Sequence, residues 1–338
     1  MPKVIVRKEE YDSPTLPVTV SGMLEDLLSA YALKGMNILV KPNLLMAAPP
    51  EKAITTHPLL IRNVSSWLLD QGANVTIADS PGRDSFNRII DVCGIRRSLA
   101  GLSVKIEEFM DKTTVKTDLN FKNLELASSA VDADLIVNLP KLKTHSQMLL
   151  TLCVKNLFGC VVGMQKPQWH FRTGADLDMF AKLLIQIYLN LKPSVTILDG
   201  ILAMEGQGPG TRGTPRHLGI IMGSEDAIAL DHLVAQMLKI DPLTVPVLKA
   251  ANDLGILKEA DADGSLPEVV GFRLPGTKDL RFGPRYLHRF FRKHITRRPL
   301  EERDKCLMCL ECASHCPVTA IEEKRGRLHF DYDKCIRC

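Results

Sequence analysis

Four thiols stand close together near the end of the chain, in Cys306-Leu-Met-Cys309-Leu-Glu-Cys312-Ala-Ser-His-Cys316-Pro317. The spacing is C-x2-C-x2-C-x3-C-P, with which three thiolates hold one iron–sulfur cubane and the fourth reaches a second. Disulfides or a zinc knuckle fit it poorly. A zinc site uses two C-x2-C pairs and has no role for the third Cys or for the proline after the fourth.

Cys335-Ile-Arg-Cys338 follows nineteen residues after Cys316. Under crossed ligation, Cys306, Cys309 and Cys312 hold one 4Fe-4S cluster, and Cys316, Cys335 and Cys338 belong to the other. Each cluster is then one thiolate short. The expectation is two clusters in a protein that continues beyond residue 338. The competing arrangement is one cluster closed by Cys335 or Cys338.

A second constellation is basic. Pro140-Lys141-Leu-Lys143-Thr144-His145-Ser146 is followed by Leu152-Cys-Val-Lys155-Asn156-Leu-Phe-Gly159. In open α/β sheets ligands sit beyond the carboxyl ends of the strands. Lysines there suit a carboxylate or a phosphate, and Lys143, His145 and Lys155 are the catalytic candidates. Lys155 and Asn156 interrupt an apolar helical segment, and a buried lysine costs several kcal/mol unless paired or used. The alternative for Lys155 is that it snorkels or forms a structural ion pair with Asp79 or Asp199. Lys41 and Asn43, in Lys41-Pro42-Asn43, could face the same pocket as Lys141 and Asn156. Asp79, Asp199 and Glu205 are carboxylate candidates for proton transfer or for a metal site shared with His145, His170 or His217. Gly208, in a glycine-dense loop, lets backbone approach a ligand. Gly208 to Gly213 matches G-x-G-x-x-G, but it does not directly follow its strand and leads into another strand, which excludes a dinucleotide fingerprint. Cys93, Cys153 and Cys160 read as buried packing residues.

Short continuous apolar runs at Val4–Arg7, Asn37–Lys41, Val75–Asp79, Leu135–Leu139, Val195–Asp199 and Leu218–Met222 read as strands covered on both faces. Helical patterns lie between them at Val18–Leu33, Pro58–Gln71, Asp176–Leu191 and Glu225–Leu238. Thr55 or Thr56 would cap the second, and Gly72 would stop it. The fold class is α/β, a largely parallel sheet with helices on both faces, plus a small C-terminal ferredoxin-like module. The expected domains are 1–275, a basic helical linker over 276–303, and an incomplete 4Fe-4S domain over 304–338. Val75-Thr-Ile-Ala-Asp79 and Val195-Thr-Ile-Leu-Asp199 are near-copies, through duplication or by chance.

The chain has 338 residues, 45% of them hydrophobic, and a net charge of +4. Eight Lys or Arg against two Glu between Arg281 and Arg303 make a local excess of +6. Phe282, Tyr286, Phe290 and Phe291 in that stretch have helical spacing, which reads as a linker helix rather than a base-stacking platform, so nucleic acid is not the expected partner. No signal peptide and no membrane span are read, and free thiols agree with a reducing, anaerobic cytoplasm.

Several stretches together resemble one family. They are Val40-Lys-Pro-Asn43, Ile77-Ala-Asp-Ser-Pro-Gly82, Asn138-Leu-Pro-Lys-Leu-Lys-Thr-His145, Val154-Lys-Asn-Leu-Phe-Gly159, Met204-Glu-Gly-Gln-Gly-Pro209 and Ala229-Leu-Asp231, with the terminal cysteine motif. The family is the uncharacterised Fe–S centre proteins built on domain of unknown function 362. The resemblance covers nearly the whole chain, and implies the fold, 4Fe-4S clusters and a complete two-cluster module at the C-terminus. It implies no reaction. The functional expectation is an iron–sulfur oxidoreductase that relays electrons between a donor or acceptor protein and a small anionic substrate in the lysine pocket. A non-enzymatic carrier or redox-responsive binding protein is the first alternative, and a non-redox enzyme with structural clusters the second.

Overall fold

The computed structural model describes residues 1–82, 84–117, 119–163, 166, 169 and 176–276, and then 299–302, 305–314, 316, 319–332, 334 and 335. His170, Cys338 and, of the linker expected over 276–303, residues 277–298 and 303 lie outside the described residues.

Apolar runs at two-residue periodicity set the framework. In Ile38-Leu39-Val40, Ile38 and Val40 enter the core on one face of the sheet and Leu39 the core on the other. Leu135, Val137 and Leu139 divide from Ile136 in the same way. A strand buried on both sides can only be an interior strand of a layered α/β fold. The strands are β1 (Lys3–Lys8), β2 (Asn37–Pro42), β3 (Asn74–Asp79), β4 (Lys105–Glu108), β5 (Lys112–Lys116), β6 (Asn123–Ala127), β7 (Leu135–Leu139), β8 (Lys141–His145), β9 (Leu149–Thr151), β10 (Val195–Gly206), β11 (Gly213–Ser224) and β12 (Asp261–Asp263). Ten of these form one sheet in the order β12-β1-β11-β10-β7-β2-β3-β4, with β8 beside β10 and β9 beside β8. β5 and β6 form a separate hairpin.

The run β10-β7-β2-β3-β4 is parallel throughout. β11 is antiparallel to both of its neighbours, and β9 to β8. Helices Leu16–Leu28, Pro58–Asp70 and Phe86–Val92 pack on one face, and Leu177–Leu191, Ala227–Met237 and Pro246–Asp253 on the other. The α/β architecture expected from the sequence is therefore present.

Three details differ from the sequence reading. The helix expected over Val18–Leu33 spans Leu16–Leu28. The helix beginning at Pro58 is capped by His57, whose ring Nδ1 accepts from Leu59 N. Thr56 is not its cap, because its hydroxyl is committed to the sheet, donating to Leu139 O at 2.6 Å and accepting from Asn43 N at 2.8 Å. The apolar segment around Lys155 is also not one helix. It comprises β9, a single turn at Cys153–Asn156 and a 3-10 turn at Leu157–Cys160.

Candidate functional site

Parallel register places charged strand ends side by side. Lys41 on β2 is opposite Asn138 on β7, and Lys141 on β8 is opposite Asp199 on β10. Lys141–His145, expected beyond the carboxyl end of the strand Leu135–Leu139, forms a strand of its own along the outer half of β10. The lysines are thus set by sheet geometry.

Two of them form fully enclosed ion pairs. Lys41 Nζ lies 2.9 Å from Asp79 Oδ2, and Lys141 Nζ lies 2.9 Å from Asp199 Oδ2. No side chain of the four is more than 4% exposed. Such pairs hold only when the remaining lone pairs and protons are also satisfied. Here they are. Asp79 accepts from Leu44 N and Ser80 N, and Lys41 also donates to Pro42 O. Asp199 accepts from the Tyr11 hydroxyl at 2.5 Å and from His57 N at 2.8 Å, while Lys141 donates to the Tyr11 oxygen at 2.8 Å. Burial, then the Asp199 charge, pushes the Tyr11 phenol well above its ordinary value. The His57 ring stacks on Tyr11 with centroids 3.5 Å apart. Its imidazole is lowered to about 4 by burial, so it stays neutral above that pH.

Lys143 differs from both. It is 1% exposed, and no carboxylate among the described residues forms an ion pair with it. Nζ donates to Asn43 Oδ1 and to Ile54 O, both at 2.6 Å. Burial lowers this amine well below the ordinary lysine range, and the Lys155 and Lys141 charges add to the effect. From Asn43 an amide chain runs inward. Asn43 Nδ2 donates to Asn156 Oδ1 at 2.9 Å, and Asn156 Nδ2 donates to Asn138 Oδ1 at 2.8 Å and to Lys41 O at 3.1 Å. Asn156 therefore locks the turn carrying Lys155 to β2 and β7.

Lys155 is partly buried, with Nζ 6.0 Å from the Phe158 ring centroid and no carboxylate partner among the described residues. Burial lowers it to about 8. The structural pair of Lys155 with Asp79 or Asp199 does not form, because Lys41 and Lys141 occupy those carboxylates. Lys166, which no motif marked, is also buried. It donates to Ser80 O and is lowered to about 8, chiefly by burial. Among the described residues Lys155 and Lys166 thus have no ion-pair partner at this end of the sheet, and two such cations suit an anion.

The remaining candidates divide. His145 ends β8, and its Nδ1 accepts from Gln147 N and Met148 N, a turn-closing role. Gly208 donates to Thr144 Oγ1, and a Cβ there would collide with Thr144. Glu205 is drawn away from the lysines, accepting from Arg273 Nε at 2.7 Å and from Arg273 N at 3.1 Å. His217 lies with Glu10 at 2.7 Å rather than with Asp79 or Asp199. Asp231 is a participant that the sequence offered only as part of a motif. Its carboxylate accepts from Cys153 N and Val154 N at the start of the Lys155 turn, and burial raises it to about 7. Tyr11, His57 and Lys166 carried no local signal.

Near the C-terminus, Cys306 and Cys316 are half-buried, Cys309 and Cys312 exposed, and Cys335 buried. Met308 (φ 52°) and Leu310 (φ 60°), on either side of Cys309, take left-handed backbone. Such turns form the concave amide nests found at anionic clusters. Ala320 N donates to Cys316 Sγ at 3.1 Å. A two-stranded hairpin, β13 (Ile321–Glu323) with β14 (Leu328–Phe330), spans the interval between Cys316 and Cys335. In type, the donor set fits iron and sulfide. Among the described residues, no three His, Cys, Asp or Glu side chains converge into a metal-binding group.

The sheet and its buried lysines define an α/β protein with a basic site at the carboxyl ends of its strands. Residues 38–236 match the profile of a domain of unknown function, DUF362. The chain is 35% identical over 254 residues to thylakoid-associated protein sll1697 of Synechocystis sp., covering 75% of this chain and 79% of that one. It belongs to the DUF362 family. A shorter match, 39% identical over 41 residues, joins 12% of this chain to 44% of the NADH-dependent phenylglyoxylate dehydrogenase subunit delta of Aromatoleum evansii. The lactate racemase apoprotein from Thermoanaerobacterium thermosaccharolyticum aligns with a TM-score of 0.42 at 12% identity, over 76% of this chain and 58% of that one. No helix among the described residues is long and apolar enough to cross a membrane.

Proposed function

We propose that the chain is an iron–sulfur oxidoreductase that passes electrons between a partner protein and a small anionic substrate or cofactor held at the lysine site. The observation that carries this reading is the surplus of amines over carboxylates beside Asn43. Lys41 pairs with Asp79 and Lys141 with Asp199, leaving Lys143, Lys155 and Lys166 without an ion-pair partner among the described residues. Burying uncompensated lysines is unfavourable unless a ligand supplies the missing charge. In this reading Lys155 and Lys166 attract the anion, while Lys143 and Asn43 orient it.

The cysteine motif supports the redox half of the proposal. Cys306, Cys309, Cys312, Cys316, Cys335 and Cys338 would hold 4Fe-4S clusters, which supply one-electron transfer when bound. The name of the short match places that protein in an NADH-dependent dehydrogenase, which agrees with a redox role. A cytoplasmic location belongs to the same proposal and is tested by fractionation, because a family relative is named thylakoid-associated.

The deciding experiment is anaerobic iron and acid-labile sulfide quantitation with EPR, on this chain and on Cys309→Ser. Cubane signals on the parent that fall sharply in Cys309→Ser would support the reading. A parent chain that stays colourless and EPR-silent after reconstitution would remove its redox half.

A further inference from the structure

A saturated ion pair has nothing left to offer a ligand, and this distinguishes the lysines. Lys141 and Lys41 are each pinned by a carboxylate and a further acceptor. Tyr11 is spent as well, since its hydroxyl donates to Asp199 and accepts from Lys141 and from Leu202 N. Lys143 is different. Its nitrogen is held by two neutral carbonyl acceptors, Asn43 Oδ1 and Ile54 O, both at 2.6 Å.

A neutral amine has two N–H bonds and one lone pair. Two acceptors consume both N–H bonds and leave the lone pair as the free valence. Positive neighbours and burial favour that neutral form, which is how lysine nucleophiles toward carbonyl carbon are prepared. Lys155, on the turn locked by Asn156, supplies a cation with no carboxylate partner among the described residues. The nucleophile is tied through Asn43 to Asn156, the residue next to Lys155 on the same turn.

We infer that Lys143 captures small carbonyl-bearing anions of the 2-oxo acid class as a reversible imine, with the substrate carboxylate held by Lys155. Lys143 Nζ attacks the carbonyl carbon and a C–N bond forms. The carbonyl C–O bond breaks as the oxygen takes up the two protons lost by the amine and leaves as water, giving C=N, and hydrolysis returns both partners without any oxidant or reductant. The inference deepens the anion-site reading and is independent of the iron–sulfur clusters.

The test uses the full chain with its thiols reduced and no iron added, incubated with pyruvate and sodium cyanoborohydride and followed by intact mass and peptide mapping. The expected result is one reduced adduct, mapped to Lys143, that is absent from Lys143→Arg. Lys155→Ala should slow its formation roughly tenfold, the loss of one charge-assisted contact. Acetone, which lacks the carboxylate, should label Lys143 no faster than surface lysines. No adduct on the wild-type chain, an adduct spread over exposed lysines, or equal labelling by acetone would overturn the inference. Because the wild-type map is decisive, the test survives even if Lys143→Arg fails to fold, which far-UV circular dichroism would report. Failure here leaves iron quantitation untouched, and absence of clusters leaves the trapping result standing.

Discussion

Gly159 closes over the carboxylate of Asp79: a Cβ at that glycine would overlap Asp79 Oδ1 and the Lys41 amine. The glycine of Lys155-Asn-Leu-Phe-Gly159 is therefore the roof of the Lys41–Asp79 pair. Gly159→Ala should lower stability by about 1–3 kcal/mol through overpacking. Urea denaturation of the two proteins checks it, and unchanged stability would mean that the turn lifts away freely.

The pair Lys141–Asp199 is buried on all sides, so removing one member strands the other. Asp199→Ala is expected to cost about 3–5 kcal/mol. The double change Lys141→Met with Asp199→Leu should recover much of that loss, because apolar groups need no partner. A double variant no more stable than the single would show that Tyr11 and His57, orphaned together, dominate.

Asp231 ties stability to pH. Burial raises its carboxyl from 3.8 to about 7 in the fold. Between those values the folded state keeps a proton that the unfolded state has lost, so this group's contribution to stability falls as pH rises. Asp231→Asn should flatten that part of the profile. Denaturation midpoints at pH 5 and pH 7.5, compared between the two proteins, read the effect directly.

Lys155 and Lys166, both lowered to about 8 mainly by burial, set a pH limit on anion binding. Affinity for pyruvate or sulfate should weaken as pH climbs through 8, because the cations lose their protons. Lys155→Ala should remove most of that dependence. Folding itself becomes more favourable over the same rise, toward 10.5, because the folded state then holds fewer protons than the unfolded. Calorimetric titration at pH 7 and pH 9 separates the two.

Much of this arrangement is legible in the chain before any coordinates. Six continuous apolar runs foretold interior strands, because two-sided burial leaves no polar alternation. Lys41, Asp79, Lys141 and Asp199 are marked as charges set among apolar residues at strand ends. Which lysine meets which aspartate is not legible, because register and strand order decide it. Lys155 therefore competed with Lys41 and Lys141 for partners until the sheet assigned them. Tyr11 and His57 stack across forty-five residues of sequence on the Asp199 pair, and such long-range contact has no local pattern. Glu205 misled because a carboxylate in a glycine-rich loop resembles a ligand-facing group, whereas Arg273, far along the chain, claims it.

β10 borders β7 at Val195–Thr196 and β8 from Asp199 onward, while its other side stays paired with β11 through a register shift between Gly200 and Leu202. An amide in that stretch, such as Asp199 N bonded to Pro140 O, lies in an interior strand with a neighbour on either side. Deuterium should therefore enter around Lys141 and Asp199 on the timescale of global opening rather than of fraying. The aim of the lysines then shares the cooperativity of the whole sheet. A core substitution far from the site will change how much of the protein is competent, while each competent molecule keeps its geometry.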